Sequence, residues 1–165
     1  MENKLRVAAY ARVSTEKDDQ ANSLASQKTY FANYISNQSN MELSKVYYDE
    51  GISGTQTRKR AGFNQMIQDA LGGKFNLILT KEVSRFARNT VDTLSYTRKL
   101  KEAGVGVIFT IDNIDTRDSD GELRLTIMAS LAQEESRKTS ERVKWGQQRR
   151  MEQGVEVLLC DTSIR

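Results

Sequence analysis

Three short stretches of the chain carry residue types that can act on a charged substrate. The first is Tyr10-Ala11-Arg12-Val13-Ser14, in which a guanidinium and a hydroxyl stand two residues apart. On a β-strand such a pair points one way, so Arg12 and Ser14 would share a space at the strand's end. The second is Lys81-Glu82-Val83-Ser84-Arg85-Phe86-Ala87-Arg88. If a helix begins here, Arg85 and Arg88 share one face near its N-terminus, which itself favours anions. The third is the basic run Arg58-Lys59-Arg60. Each stretch has an ordinary reading as ion pair, turn or solvated surface, but planar guanidinium forks converging on one place suit a phosphate.

Composition narrows the chemistry further. The 165 residues include no His, no Pro and a single Cys, Cys160. Without His there is no Ser-His-Asp or Cys-His relay and no imidazole general base, and the usual His-containing zinc sites are excluded. One Cys forms neither an intramolecular disulfide nor a thiolate metal cage. Catalysis is left to carboxylates, hydroxyls, Lys, Arg, Tyr or a borrowed cofactor. Lys plus Arg exceed Asp plus Glu by 25 to 22, a net charge of +3 that permits nucleic acid without requiring it. No stretch approaches the roughly 18 apolar residues of a membrane span, and the N-terminus has no apolar signal core, so a cytoplasmic protein without a membrane partner is expected.

The elements that must position these residues can be read from periodicity. Leu5, Val7, Ala9, Ala11 and Val13 alternate as in a strand, with Tyr10 and Arg12 on the other, polar face. A helix is expected from Ser23, a plausible N-cap, to about Asn37. Then come a strand over Leu43 to Tyr48, a helix from Phe63 to Leu71 stopped by Gly72-Gly73, and a buried strand over Asn76 to Thr80. A helix from Thr90 to Ala103, ended by Gly104, and a strand from Val105 to Ile111 complete the alternation. The pattern predicts a three-layer α/β domain with a central, mostly parallel sheet of four to five strands and helices on both faces. Loops 14–22, 49–60 and 81–89 would meet at one sheet edge.

From Gly121 the pattern becomes one long helix with an apolar stripe of Leu123, Ile127, Met128 and Leu131. About 30 residues at 1.5 Å each span roughly 45 Å, longer than a small sheet, so part of it should project. The expected organisation is a body over 1–120, a long helix over 121–154 and a tail over 155–165.

Together, Tyr10-Ala-Arg12-Val-Ser14-Thr, Gln27, Asp49-Glu-Gly-x-Ser53-Gly54, Arg60-x-Gly62-Phe63, Lys81-x-x-Ser84-Arg85-x-x-Arg88 and the helical Ala132-Gln-Glu-Glu-Ser-Arg-Lys-x-Ser-Glu141-Arg142 resemble the catalytic domain of serine recombinases. Within that resolvase/invertase superfamily the likeness is greatest to large serine integrases and conjugative-transposon recombinases, and it runs from about Leu5 to Gly154. The resemblance implies that Ser14 attacks a DNA phosphodiester, leaving a 5′-phosphoserine and a free 3′-hydroxyl for strand exchange and religation. Arg12, Arg85 and Arg88 would surround the phosphate, with Gln27 and Arg60 assisting. Tyr10, Lys81, Ser84, Glu135, Arg137 and Arg142 would serve DNA or oligomer contacts. No metal and no cofactor is implied; the implied partners are double-stranded DNA and further copies of the chain, as a homodimer or tetramer through the long helix.

The composition agrees with such chemistry. Clustered guanidiniums can stabilise the charge on a pentacoordinate phosphorus and an alkoxide-like oxygen without an imidazole. A phosphoserine ester also conserves the broken bond, so rejoining needs no nucleotide cofactor. Two other readings are a catalytically silent oligomerisation module and a flavodoxin-like phosphate or nucleotide binder, although no G-x-G-x-x-G and no P-loop follows any expected strand.

Overall fold

The computed structural model describes residues 3–14, 23–51 and 60–160, without the side chains of Ser14 and of residues 155–160. The fold starts from β1 (Leu5–Ser14), which pairs in parallel with β2 (Met41–Gly51) on one side and β3 (Leu77–Thr80) on the other. β4 (Gly106–Phe109) continues the parallel ladder beyond β3, and β5 (Ile114–Asp115) closes it antiparallel, giving the order β2-β1-β3-β4-β5. At two residues, β5 is too short to leave a pattern in the sequence.

The central position of β1 decides the fate of its side chains. Val7, Ala9, Ala11 and Val13 join Phe31 and Ile35 of α1 (Leu24–Ser36) in one core. Ala8 and Tyr10 join the other core, with Phe63, Met66, Ile67 and Ala70 of α2 (Ala61–Leu71). The expected polar face of β1 is therefore covered: Tyr10 is 1% exposed, because helices lie on both faces of the sheet and a central strand has no wet side. Arg12, further along the strand, is half-buried.

Helix ends follow the expected signals. Ser23 caps α1 by accepting from Ser26 N at 3.2 Å, and α2 ends on Gly72. The segment after β3 keeps the expected loop over 81–89 and the expected helix start at Thr90, without a continuous helix through Arg85 and Arg88. Only one turn, α3 (Val83–Phe86), forms before Ala87 extends, and a new helix, α4 (Thr90–Glu102), starts at the Asn89 cap. Asp112 accepts from Val83 N at 2.7 Å, Phe86 is wholly buried and Asn89 Oδ1 accepts from Asp92 N at 2.8 Å, so three anchors divide the stretch. Arg85 and Arg88 consequently do not share one helical face.

The last element, α5 (Ser119–Cys160), starts ahead of Gly121 and continues past Gly154; its 42 residues span about 63 Å at 1.5 Å each. Its contact with the body runs through buried Gly121, Leu125 and Ala129, whereas Leu123, Ile127 and Leu131 of the apolar stripe are 58%, 51% and 66% exposed. From Gln133 to Gly154 almost every residue is exposed, so this part of α5 projects. Among the described residues, no helix is long and apolar enough to cross a membrane.

Candidate active site

The parallel ladder brings the ends of β1, β2 and β3 to one edge of the sheet, where Arg12 stands beside Asp49 and Ser14 beside Gly51 in register. Here a pocket of about 160 Å³ is lined by Tyr10, Arg12, Gln27, Lys81, Glu82 and Arg85, among others. Four elements contribute. β1 supplies Tyr10 and Arg12; the first turn of α1 supplies buried Gln27; the turn after β3 supplies Lys81; α3 supplies Arg85. Ser14 is the last residue of β1, and its side chain lies outside the described residues.

Behind the pocket runs a chain of hydrogen bonds that the residue spacing did not reveal. The Tyr10 hydroxyl donates to Asp49 Oδ2 at 2.9 Å and accepts from Arg60 Nη2 at 2.7 Å. The same Nη2 donates to the Phe86 carbonyl oxygen, and the Arg85 carbonyl lies at 3.4 Å. Asp49 meanwhile takes the first amides of α2, with Oδ1 accepting from Gly62 N and Oδ2 from Phe63 N, both at 2.8 Å. Thus a carboxylate on β2 caps a helix that begins well downstream in the chain, since Arg60 at the N-cap position makes no side-chain cap bond. Gly62 is what allows the approach: a Cβ there would collide with the Tyr48 carbonyl oxygen. The motif Arg60-x-Gly62-Phe63 is thereby explained, because Phe63 lies under the Arg60 guanidinium at 4.3 Å from the ring centroid.

Electrostatics assigns Tyr10 a supporting part. Burial pushes its phenol well above the ordinary value, with Arg60 opposing and Asp49 adding to the rise. Tyr10 therefore keeps its proton at neutral pH and is no tyrosinate nucleophile; it bridges Asp49 and Arg60. Lys81 has its ammonium 4.4 Å from the Tyr30 ring centroid, and the Tyr30 hydroxyl donates to Thr110 Oγ1 at 2.8 Å. Arg85 Nε pairs with Glu82 at 3.3 Å, and Ser84, exposed, reaches the same carboxylate at 3.4 Å.

The remaining expected residues stand apart from this pocket. Arg88 lines a separate groove of about 570 Å³ between α2 and α4, whose wall includes Arg60. Glu135, Arg137 and Arg142 lie on the projecting part of α5, where Arg137 is held within its own helix by Glu134 at 2.7 Å and Glu141 at 2.6 Å. Arg58 and Lys59 lie outside the described residues. Among the described residues no cluster of acids and thiols could hold a metal ion.

Residues 7–156 match the family model described as the resolvase N-terminal domain. The chain belongs to the resolvase family. It is 28% identical over 151 residues to the R46 site-specific recombinase of Escherichia coli, covering 92% of this chain and 73% of that one. It is likewise 27% identical to the Transposon Tn3 resolvase of the same organism, covering 92% and 75%. Among solved structures, a resolvase family site-specific recombinase from Streptococcus pneumoniae superposes with a TM-score of 0.71 at 31% identity, covering 88% of this chain and 99% of that one. The N-terminal catalytic domain of TP901-1 integrase superposes with a TM-score of 0.66 at 26% identity, covering 82% and 98%.

This resolvase-family chain is a site-specific recombinase catalytic domain, an enzyme that cuts and rejoins DNA. The five-stranded, helix-flanked sheet with its long terminal helix is the family's architecture. The site residue that sequence reasoning passed over is Asp49. It was legible as part of a loop motif, but its link to Tyr10 and to α2 exists only once β1 and β2 are paired.

Proposed function

We propose that Ser14 is the nucleophile of this recombinase domain and that Arg12 and Arg85 hold the scissile phosphate. The Ser14 Oγ attacks phosphorus, the bond to the 3′-oxygen breaks, and the 3′-oxygen leaves as a hydroxyl with the proton the serine gave up to its surroundings. The guanidiniums stabilise the added negative charge on the pentacoordinate phosphorus. Religation is the same exchange in reverse, with the 3′-hydroxyl attacking the phosphoserine. Gln27 and Lys81 border the same space and orient the phosphate, while Arg60 acts through the Arg85–Phe86 backbone. Arg88 joins the site from the adjoining groove. The observation that carries this reading is the convergence of Arg12, Gln27, Lys81 and Arg85 on one pocket at the end of the strand that bears Ser14.

The partner is double-stranded DNA, reached in the cytoplasm, with a second copy of the chain meeting the exposed stripe Leu123, Ile127, Met128 and Leu131. Residues 1–120 act as the body and 121–154 as the helix that joins subunits and follows DNA, with Glu135, Arg137 and Arg142 on its outer part.

The test is denaturing capture of protein-linked DNA after incubation with fragmented genomic DNA, followed by mapping of the modified peptide. A DNA-linked peptide containing Ser14, lost in Ser14→Ala, is expected. A link at another residue, or an unchanged yield in Ser14→Ala, overturns the assignment.

A further inference from the structure

Helix α4 carries its positive charges on two sides, and the two sides differ. Toward α5, Arg98 and Lys101 are both paired with Glu122, at 3.4 and 2.8 Å. Toward the groove between α2 and α4, Lys99 has no carboxylate partner among the described residues, and neither does Arg88 just ahead of the helix. The carboxylate among the groove's described lining residues, Asp92, is engaged by Asn89 Nδ2 at 3.2 Å. Exposed Asn64 and Ser95 add neutral hydrogen-bonding groups, and half-buried Tyr96, braced edge-on against Phe63 at 5.0 Å, adds an aromatic surface.

Unpaired cations, small polar groups and a fixed aromatic ring in about 570 Å³ match a nucleotide unit in chemistry and in size. The groove is also tied to the catalytic pocket. Arg60 forms part of its wall and bonds to the backbone that carries Arg85. Arg85 borders the pocket and Arg88 the groove, and three residues of chain span at most about 10 Å, roughly three base-pair rises of 3.4 Å along the duplex axis.

We infer that this groove is a second nucleotide subsite, holding a phosphate and its base from the same DNA strand a few steps from the phosphodiester that is cut. The inference rests on the DNA-cleavage reading above. Lys99 and Ser95 contact the flanking phosphate, and Tyr96 offers its ring to the base. The subsite thereby draws the strand across Arg88 and aligns it in the catalytic pocket.

Two measurements on the full chain test this. The first is the salt dependence of binding to a short fluorescent duplex, compared for wild type, Lys99→Ala and Lys101→Ala. Losing one phosphate contact lowers the slope of log affinity against log salt by about 0.9, expected for Lys99→Ala and not for Lys101→Ala. The second uses Ser95→Cys in a Cys160→Ser background, with alkylation of the new thiol followed in the presence of duplex or of free dAMP. Protection by the duplex alone is the expected result. Equal protection by dAMP makes the groove a free-nucleotide site and overturns the proposal. If wild type binds duplex with a steep salt slope while Lys99→Ala keeps that slope and Ser95→Cys stays unprotected, the subsite is overturned and the DNA reading stands. If wild type binds no duplex, both fall.

Discussion

The hydroxyl of Tyr10 lies 2.9 Å from Asp49 Oδ2, which joins the buried centre of the sheet to the start of α2, and the same hydroxyl accepts from Arg60, which ties it to the α3 backbone at Arg85 and Phe86. Asp49 accepts three hydrogen bonds, two of them from backbone amides that would otherwise be unsatisfied at a helix start. Asp49→Ala should therefore destabilise the fold by about 1–3 kcal/mol, the cost of leaving such donors unpaired. Urea titration measures that loss.

Tyr10→Phe separates support from bulk packing. The ring keeps its edge-on contacts with Phe63 and Phe86, at 5.5 and 6.4 Å, while Arg60 loses an acceptor. Stability should fall by only about 1 kcal/mol. Formation of the covalent DNA adduct should fall by about tenfold, equivalent to about 1.4 kcal/mol in the barrier, because Arg60 no longer holds the Arg85–Phe86 backbone firmly. An adduct rate unchanged from wild type would remove Tyr10 from the positioning chain.

Acid stability reports on a second network, at the opposite end of α2, in which exposed Lys74 meets buried Asp69. The Lys74 ammonium at 2.8 Å, followed by the Tyr47 hydroxyl at 2.6 Å, holds the Asp69 carboxyl down to about 2, below its ordinary 3.8. The unfolded chain takes up this proton near the ordinary value and the folded chain only near the lowered one. The stabilisation is thus complete above about pH 4 and drains away as pH falls through about 2. Lys74→Met raises the folded value, so its deficit in urea midpoint against wild type should be largest near neutrality and should shrink toward about pH 2. A deficit independent of pH would show that Lys74 acts by packing alone.

Glycine substitutions should have opposite signs at packed and open positions of α2 and α5. A Cβ on Gly121 would collide with the Asp115 carbonyl oxygen, and one on Gly62 with that of Tyr48, so Gly121→Ala and Gly62→Ala should each cost about 1–3 kcal/mol. At Gly146, on an exposed stretch of helix, an added methyl would meet nothing within 4 Å, and Gly146→Ala should stabilise by about 0.5–1 kcal/mol. Thermal melts of the three variants give the comparison.

The two faces of α5 should also separate. Leu125 is wholly buried, and Leu125→Ala should cost about 2–5 kcal/mol in folding stability. Ile127→Ser with Leu131→Ser, at half-exposed and largely exposed positions, should leave the body's stability nearly unchanged. The same pair should shift sedimentation toward the monomer. A sedimentation coefficient identical to wild type would exclude the stripe as a subunit contact.

The alternation of strand and helix and the long terminal helix are written in the chain as periodicity, and the short stretches that bear Arg12, Ser14, Arg85 and Arg88 as residue type. The absence of His is also written there, and it restricts the chemistry before any fold is known. Local patterns carry such information because strand and helix periods and caps act over a few residues. Tertiary structure alone decided that Tyr10 is buried, since Ala8 and Tyr10 enter a second core only when β2 and β3 flank β1 and α2 covers it. It decided that Arg85 and Arg88 face different cavities, because Asp112 and Asn89 anchor two separate helix starts. It also made Asp49 the cap of α2 and assigned Leu125, rather than the Leu123 stripe, to the body. Each of these depends on groups brought together across the sheet, and the energy of such contacts is invisible until the chain has closed on itself.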